Sequence, residues 1–293
     1  MEIPFIDYIR LLRPHQWIKN LLIIAPPFFG GVFLADPTIS FKMVQAFFAF
    51  SFASSTGYII NDLFDLRTDR LHPIKKFRPI ASGSVSVGMS IILLLLTFIL
   101  SMGLSLRFGE GFILIIILYL ILNIAYSLFL QHIVIVDAIS IALGFVFRIG
   151  AGGEASGIEV SSWLFLTTFL LSLLLAFGKR RFELMSFDNS TSFRRVLAKY
   201  RMNFLDTALS IFATTAIVTY SLYAVERGPR VFIITVPFVC YGVLRYMYLV
   251  QTDASGDPTE ALLKDKWLFA CVLLWIIATA IIIYFQHNPS ILR

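Results

Sequence analysis

The chain has 293 residues, of which 58% are hydrophobic and 14% charged, and its formal net charge is +6. Soluble domains carry about 25% charged residues, and with a mean hydropathy of +0.83 this chain needs lipid to cover its apolar surface. The basic residues lie between hydrophobic runs, a pattern of membrane orientation and anionic substrates, and no nucleic-acid partner is expected.

A helix needs about 20 apolar residues to cross the hydrocarbon core. Runs at 17–35, 43–60, 85–106, 112–129, 133–149, 162–177, 204–224, 231–250 and 267–285 predict about nine transmembrane helices. These runs lack period-two alternation, and an open sheet cannot satisfy its backbone in lipid, so the expected class is all-α and polytopic. The first run meets Pro26-Pro27 rather than a small-residue cleavage site, so a cleaved signal peptide is not expected. Cys240 and Cys271 each sit in an apolar run, outside any metal-ligand spacing, and read as small core residues. The expected organisation is a single transmembrane domain over 1–293 without a soluble domain. Its longest loops are 61–84 and 179–203. Ser192-Phe193-Arg194-Arg195-Val196-Leu197-Ala198-Lys199-Tyr200 reads as a short interfacial helix capped by the 189–192 cluster.

Nine spans put the termini on opposite sides. Of the 24 Lys and Arg residues, 17 fall on the side of the N-terminus and 6 on the other, with Arg245 inside the eighth span. The positive-inside rule then places the N-terminus and both long loops in the cytoplasm of a multi-pass plasma-membrane protein.

Asn61-Asp62-Leu63-Phe64-Asp65-Leu66-Arg67-Thr68-Asp69 closes the second run. At about 100° per residue, Asn61, Asp62, Asp65 and Asp69 share an arc of roughly 100°, with Tyr58 one turn earlier. Three carboxylates on one face repel each other. They are tolerable in water, as a solvated helix end, or around a divalent cation, and an oxygen-only set suits Mg²⁺ with substrate phosphates. Arg70, Lys75, Lys76 and Arg78 follow at once. Acids that hold a metal beside bases that hold phosphate oxygens suit a metal–diphosphate complex; positive-inside charge accounts for some of the bases too. Lys19 and Asn20 open the first run. Asp137 and Arg148 lie in the fifth run, aligned with Gly144 within about 40° on a helical wheel. Ionisable groups in a span mark a substrate path, or for Asp137 an ion pair between helices. Gln131-His132 enters the same run, His132 as a cavity residue or a merely interfacial one. Lys179-Arg180-Arg181 ends the sixth run, where cations also complement the helix dipole.

These residues resemble a known family. Asn61-Asp62-x-x-Asp65-x-x-x-Asp69 is similar to the signature of the UbiA-type intramembrane prenyltransferase superfamily. Its fold, nine helices around a cytoplasm-facing polar cavity, is what the resemblance implies. Four further stretches look like the decaprenyl-phosphate phosphoribosyltransferase branch: the runs from Arg13 to Asn20, from Asp69 to Gly83 and from Gly144 to Gly153, and Gly178-Lys179-Arg180. Gly256-Asp257-Pro258-Thr259-Glu260 does so as well. Where prenyl-diphosphate enzymes carry a second D-x-x-x-D cluster, this chain has Asp137 and then Ile141, so a second full metal site is not expected.

The resemblance implies Mg²⁺-dependent transfer of a phosphoribosyl group from phosphoribosyl diphosphate to a polyprenyl phosphate in the bilayer. It assigns Asn61 and Asp65 as first metal ligands, with Asp62 and Asp69 completing the cluster directly or through water, and Asp62, Asp65, Asp69 and Asp137 as the catalytic acids. Lys19, Tyr58, Lys75, Arg78 and Lys179 are assigned to the donor's phosphates, and Gln131, His132 and Arg148 to the lipid phosphate or the ribose. An aromatic-acceptor prenyltransferase of the same superfamily and a non-catalytic polyprenyl-lipid carrier are the alternatives, and an oligomer is compatible with the sequence. The charge asymmetry makes a first prediction: cysteine labels at Ser84 and at the C-terminus react from opposite sides of the membrane. Reaction of both from one side overturns the nine-span reading.

Overall fold

The computed structural model describes residues 5–186, 196–226, 230–252 and 257–286, and every regular element among them is helical. In chain order these are α1 (Phe5–Leu12), a 3-10 run (Pro14–Ile24), α2 (Ala25–Phe29), α3 (Pro37–Phe64), α4 (Leu66–Leu71) and α5 (Pro79–Ser82). Then come α6 (Val87–Ser105), α7 (Glu110–Leu128), α8 (Val136–Ser156), α9 (Ser162–Ser186), α10 (Met202–Glu226), α11 (Val236–Gln251), α12 (Pro258–Lys264) and α13 (Lys266–Gln286). Among the described residues eight helices are long and apolar enough to cross a membrane: α3, α6, α7, α8, α9, α10, α11 with the 3-10 turn before it, and α13.

The predicted span at 17–35 takes a different form. Pro14 opens a 3-10 run of 11 residues, and Pro26 and Pro27, which lack the N–H that an α-helical bond needs, sit in the short α2. A 3-10 segment rises about 2.0 Å per residue, so this run alone reaches about 22 Å.

Two compact units form. The first contains residues 1–27, 36–133 and 147–159, and the second contains 28–35, 134–146 and 160–293. In the first, α3 is the central helix and packs along α6 and α7. Its Asp36 N-cap accepts from the Thr38 N–H at 2.8 Å, and Pro37 follows at the first turn. Its buried face is rich in small and polar residues, Ala46, Ala49, Ser51, Ala53, Ser54, Ser55, Thr56 and Gly57, set among the larger Met43, Phe50 and Ile59. The facing side of α6 buries Ser90, Thr97, Ser101 and Ser105, while Ile91, Ile92, Leu95, Leu96 and Ile99 point outward. Lipid is as apolar as leucine, so it gives these helices no reason to hide their leucines. Close approach of small residues and interhelical hydrogen bonds hold them instead. Ser101 Oγ donates to the Ala49 carbonyl at 2.8 Å, and the Thr56 and Thr97 hydroxyls meet at 2.8 Å.

The 3-10 run lies directly on the C-terminal half of α8, because a Cβ on Gly152 would stand 2.1 Å from the Ile23 carbonyl oxygen. In the second unit α9 packs along α10, with the Phe177 and Phe212 rings stacked at 5.4 Å. Gly178 admits the Tyr246 ring, whose hydroxyl donates to the Leu175 carbonyl at 3.2 Å. The expected interfacial helix at 192–200 lies partly outside the described residues, as does its 189–192 cap. Its described part is a 3-10 turn, Leu197–Lys199, and Val196, Leu197 and Tyr200 are buried in the core of the second unit rather than laid on lipid.

Gly152→Ala places a methyl against backbone that has no side chain to yield. It is expected to cost at least the 1–3 kcal/mol typical of overpacking and to lower the thermal midpoint in detergent. Gly103→Ala on α6, where a Cβ meets nothing within 4 Å, is expected to leave the midpoint unchanged or raised.

Candidate active site

The acidic segment spans a break in the helix. α3 ends at Phe64, Asp65 has φ −84° and ψ 2°, and α4 begins at Leu66. The i→i−4 bonds continue through the break, Asp65 N–H to Asn61 O at 2.9 Å and Asp69 N–H to Asp65 O at 2.8 Å. The four polar residues therefore keep the common face that the spacing predicts.

They divide into two pairs. Asn61 Nδ2 donates to Asp65 Oδ2 at 3.2 Å and to Ser127 Oγ of α7 at 3.2 Å. Asp62 and Asp69, both buried, are joined by Arg78, whose guanidinium donates to Asp62 Oδ1 at 2.9 Å and Asp69 Oδ2 at 2.6 Å. Lys75 Nζ lies 3.9 Å from Asp69 Oδ1. Arg13 donates to Asp62 Oδ1 at 2.5 Å and rests over the Tyr58 ring at 5.2 Å. It does so from a left-handed backbone, φ 53° and ψ 56°, at the mouth of the 3-10 run. A non-glycine residue held there carries strain of about 1–3 kcal/mol, which its surroundings must offset. Burial pushes the Asp69 carboxyl above its ordinary range, with Arg78 and Lys75 acting in the opposite sense and Asp65 adding to the rise.

Among the described residues no group of three or more His, Cys, Asp or Glu side chains stands ready to hold a metal. The chemistry of the donors fits a hard divalent ion nonetheless. Asn61 and Asp65 offer oxygens one helical turn apart, and Asp62 Oδ2 is buried without a hydrogen-bond partner. Mg²⁺ is usually held by one or two carboxylates together with substrate phosphates rather than by an all-protein cage.

A polar ladder on α7 runs from this cluster into the core of the first unit. Asn123 Nδ2 donates to the Tyr119 carbonyl at 2.7 Å, Ser127 Oγ to the Asn123 carbonyl at 2.9 Å and Gln131 Nε2 to the Ser127 carbonyl at 2.8 Å. Gly57 makes room for Asn123 on α3, as a Cβ there would meet its side chain at 3.2 Å. At the deep end Arg148, 4% exposed, donates to Asn20 Oδ1 at 2.7 Å and to the Tyr119 hydroxyl at 3.3 Å. Its guanidinium also lies over the Phe50 and Tyr119 rings, at 5.1 and 5.2 Å. Lys19 is half-buried beside Asn20 in the chain. His132 is exposed in the 3-10 turn that follows α7.

The second unit has its own charged centre. Asp137 and Arg180 are 0% and 1% exposed at their side chains and pair at 2.7 Å. The Tyr200 hydroxyl donates to Asp137 Oδ1 at 2.7 Å, and Arg180 also reaches Glu183 at 3.2 Å. Burial first, then the bond to Asp137, raise the Tyr200 phenol well above its usual pKa, so it remains a donor. Asp137 and Arg148, on one helix wheel in the sequence, are 11 residues apart along α8; at 1.5 Å per residue that is about 16 Å, and each finds other partners. Lys179 pairs with Asp257 at 3.1 Å. Asp257 in turn caps α12, accepting from the Thr259 and Glu260 N–H groups at 3.0 and 3.3 Å, with Pro258 at the first turn.

Sequence reasoning did not single out Arg13, Ser127, Asn123, Tyr119, Tyr200 or Asp257 as site groups. The spacing of four that joins Tyr119, Asn123, Ser127 and Gln131 in an otherwise apolar run is a signal that finds the ladder. No local signal pairs Tyr200 with Asp137.

The site geometry carries a prediction. Asp137→Asn removes the carboxylate charge that answers the buried Arg180, and is expected to destabilise the fold by about 3–5 kcal/mol. Tyr200→Phe removes the hydrogen bond to Asp137 and also the acceptor of the Ile135 N–H, and is expected to cost at least about 1.5–3 kcal/mol. Asp65→Asn, at a half-buried helix break, is expected to leave the thermal midpoint in detergent nearly unchanged. Equal midpoints for the Asp137 and Asp65 variants overturn the distinction.

Comparison with known proteins follows the same lines. The family model described as the UbiA prenyltransferase family matches residues 24–269. The decaprenyl-phosphate phosphoribosyltransferase of Corynebacterium glutamicum is 34% identical over 290 residues, covering 94% of this chain and 86% of the relative. That of Mycolicibacterium smegmatis is 33% identical over 295 residues, covering 95% and 92%. Among solved structures, a UbiA homolog from Archaeoglobus fulgidus bound to GPP and Mg2+ superposes with a TM-score of 0.74 at 21% identity, covering 94% of this chain and 99% of the homolog.

Proposed function

This chain belongs to the UbiA prenyltransferase family, and from that premise we propose that it transfers the 5-phosphoribosyl group of phosphoribosyl diphosphate to a polyprenyl phosphate, releasing diphosphate. The observation that carries the reading is one site with two chemistries on it. Asn61 and Asp65 offer oxygens to a cation, while Lys75 and Arg78 stand immediately beside them on Asp69 and Asp62. The relatives that align with nearly the whole chain carry that activity in their names.

The reaction breaks the bond from ribose C1 to the diphosphate and forms one from C1 to a lipid phosphate oxygen. The lipid phosphate is already anionic at neutral pH, so no side chain has to remove a proton from the nucleophile. Catalysis then rests on positioning and on charge placed against the leaving group. Asn61 and Asp65, with Asp62 and Asp69 beside them, would hold a Mg²⁺ ion, which would supply that charge. Arg78 and Arg13 hold Asp62 in place, and Lys75 offers a charge-assisted hydrogen bond to a phosphate oxygen. We assign Lys19, Tyr58, Lys75, Arg78 and Lys179 to the donor's phosphates, and Gln131, His132 and Arg148 to the ribose or the lipid phosphate. Asp137 acts through Arg180 and Tyr200, as a positioning residue.

The same reading places the N-terminus and the loop after α3 in the cytoplasm of the plasma membrane, supported by the 17 basic residues on that side. It treats 1–293 as one functional domain, since the family match runs unbroken through both compact units.

Purified protein given Mg²⁺, labelled phosphoribosyl diphosphate and a polyprenyl phosphate is expected to release diphosphate and label the lipid, and a chelator to stop it. Asp65→Asn should lose activity by about 100-fold or more, the scale of losing one group that stabilises developing charge. Lys179→Ala should raise KM for the donor, whereas Lys264→Ala, whose partner Glu260 is exposed at the surface, should do little. A prenylated aromatic product, with no diphosphate released from phosphoribosyl diphosphate, would replace this reading with an aromatic-acceptor enzyme.

A further inference from the structure

From the last residue of α3 onward the chain turns four apolar side chains outward, three of them past the end of any span. Phe64, Leu71, Ile74 and Phe77 are 53%, 81%, 60% and 74% exposed. Arg67, Arg70 and Lys76, also exposed, are interleaved with them. Three cations make the segment too polar for the hydrocarbon core, and four open apolar side chains make it a poor surface for water.

The turn at Lys75–Phe77 sorts these groups. Phe77 N–H bonds to Ile74 O and Arg78 N–H to Lys75 O, both with 3-10 spacing. In that geometry residues i and i+3 eclipse, at about 120° per residue. Ile74 and Phe77 therefore share one face, Lys75 and Arg78 a second, and Lys76 takes the third. The second face is the one that meets the acidic cluster, with Lys75 3.9 Å from Asp69, and Arg78 on Asp62 and Asp69. A segment with apolar tips and a basic rim fits the headgroup layer of an anionic leaflet. Its apolar groups reach the acyl boundary and its cations meet lipid phosphates.

We propose that the segment from Phe64 to Phe77 docks on an anionic lipid surface, and that the docked face steadies Lys75 and Arg78 on the opposite side of the same turn. Membrane charge then sets how well the donor-facing bases are placed. This second half rests on the function proposed above; the docking itself does not.

The test uses the full chain in lipid nanodiscs, with Cys240→Ser and Cys271→Ala removing the native thiols and a bimane label on Phe77→Cys. In discs containing phosphatidylglycerol the emission is expected to shift to the blue and to be quenched by spin-labelled lipid; in pure phosphatidylcholine it should stay water-like. Each base at the surface contributes about five-fold to partition, so Arg67→Gln, Arg70→Gln and Lys76→Gln together should weaken docking about 100-fold and abolish the shift. With Phe77 and the native cysteines restored, phosphatidylglycerol should lower KM for phosphoribosyl diphosphate in the parent and leave the triple variant unaffected. Water-like emission in anionic discs overturns the docking. So does a blue shift that ignores phosphatidylglycerol and follows the number of protein copies per disc, because the patch is then a contact between copies. A shift without the KM effect overturns only the coupling to the site.

Discussion

A charged side chain next to hydrocarbon must be met by an opposite charge or by donors, because bare burial of an ion costs several kcal/mol even after relaxation. That constraint arranges both units of this protein. Asp62 and Asp69 are buried, and Arg78 reaches both while Arg13 adds a second guanidinium to Asp62. Asp137 and Arg180 answer each other in the second unit, with Tyr200 filling the other carboxylate oxygen. The buried acids and bases of each unit thus already neutralise one another in the structure.

Lipid also changes how the helices adhere. The contact between α3 and α6 in the first unit is built largely from alanine, serine and threonine, while Ile91, Ile92, Leu95, Leu96 and Ile99 of α6 face outward. Buried hydroxyls here answer to backbone carbonyls, to other hydroxyls or to the Asn20 amide, as with Ser101 on Ala49, Thr56 on Thr97 and Ser54 on Asn20. Close packing brings α7 near enough to α3 for Ser127 to take a hydrogen bond from Asn61. The same small-residue packing therefore holds the fold and furnishes the acidic cluster with its neighbours.

Arg148 illustrates a different solution. Its guanidinium lies over two touching aromatic rings and donates to an amide oxygen and a phenol. Ring faces and neutral acceptors let a cation stay buried where a point-charge ammonium, more strongly hydrated, would not fit as well. The Tyr119–Gln131 ladder then joins this deep cation to the residues around Asn61 through one helix face.

Composition and hydropathy determine by themselves that the chain is helical and membrane-bound, since about 20 consecutive apolar residues have few other fates. Helical spacing likewise puts Asn61, Asp62, Asp65 and Asp69 on one side, and that face survives the break at Asp65 because the i→i−4 bonds continue through it. The signature in that spacing is specific enough to indicate the family. Partners distant in sequence were another matter. That Asp62 would be met by Arg13, 49 positions away, Asp137 by Tyr200, 63 away, and Arg148 by Asn20, 128 away, depends on which helices pack together, and periodicity within one helix carries no such information. The segment at 17–35 is the other case. Its hydropathy reads as an ordinary span, yet prolines at 14, 26 and 27 and the bare backbone of Gly152 make it a 3-10 run pressed onto α8. Only the tertiary structure decides that, because the contact lies between two stretches of backbone more than a hundred residues apart.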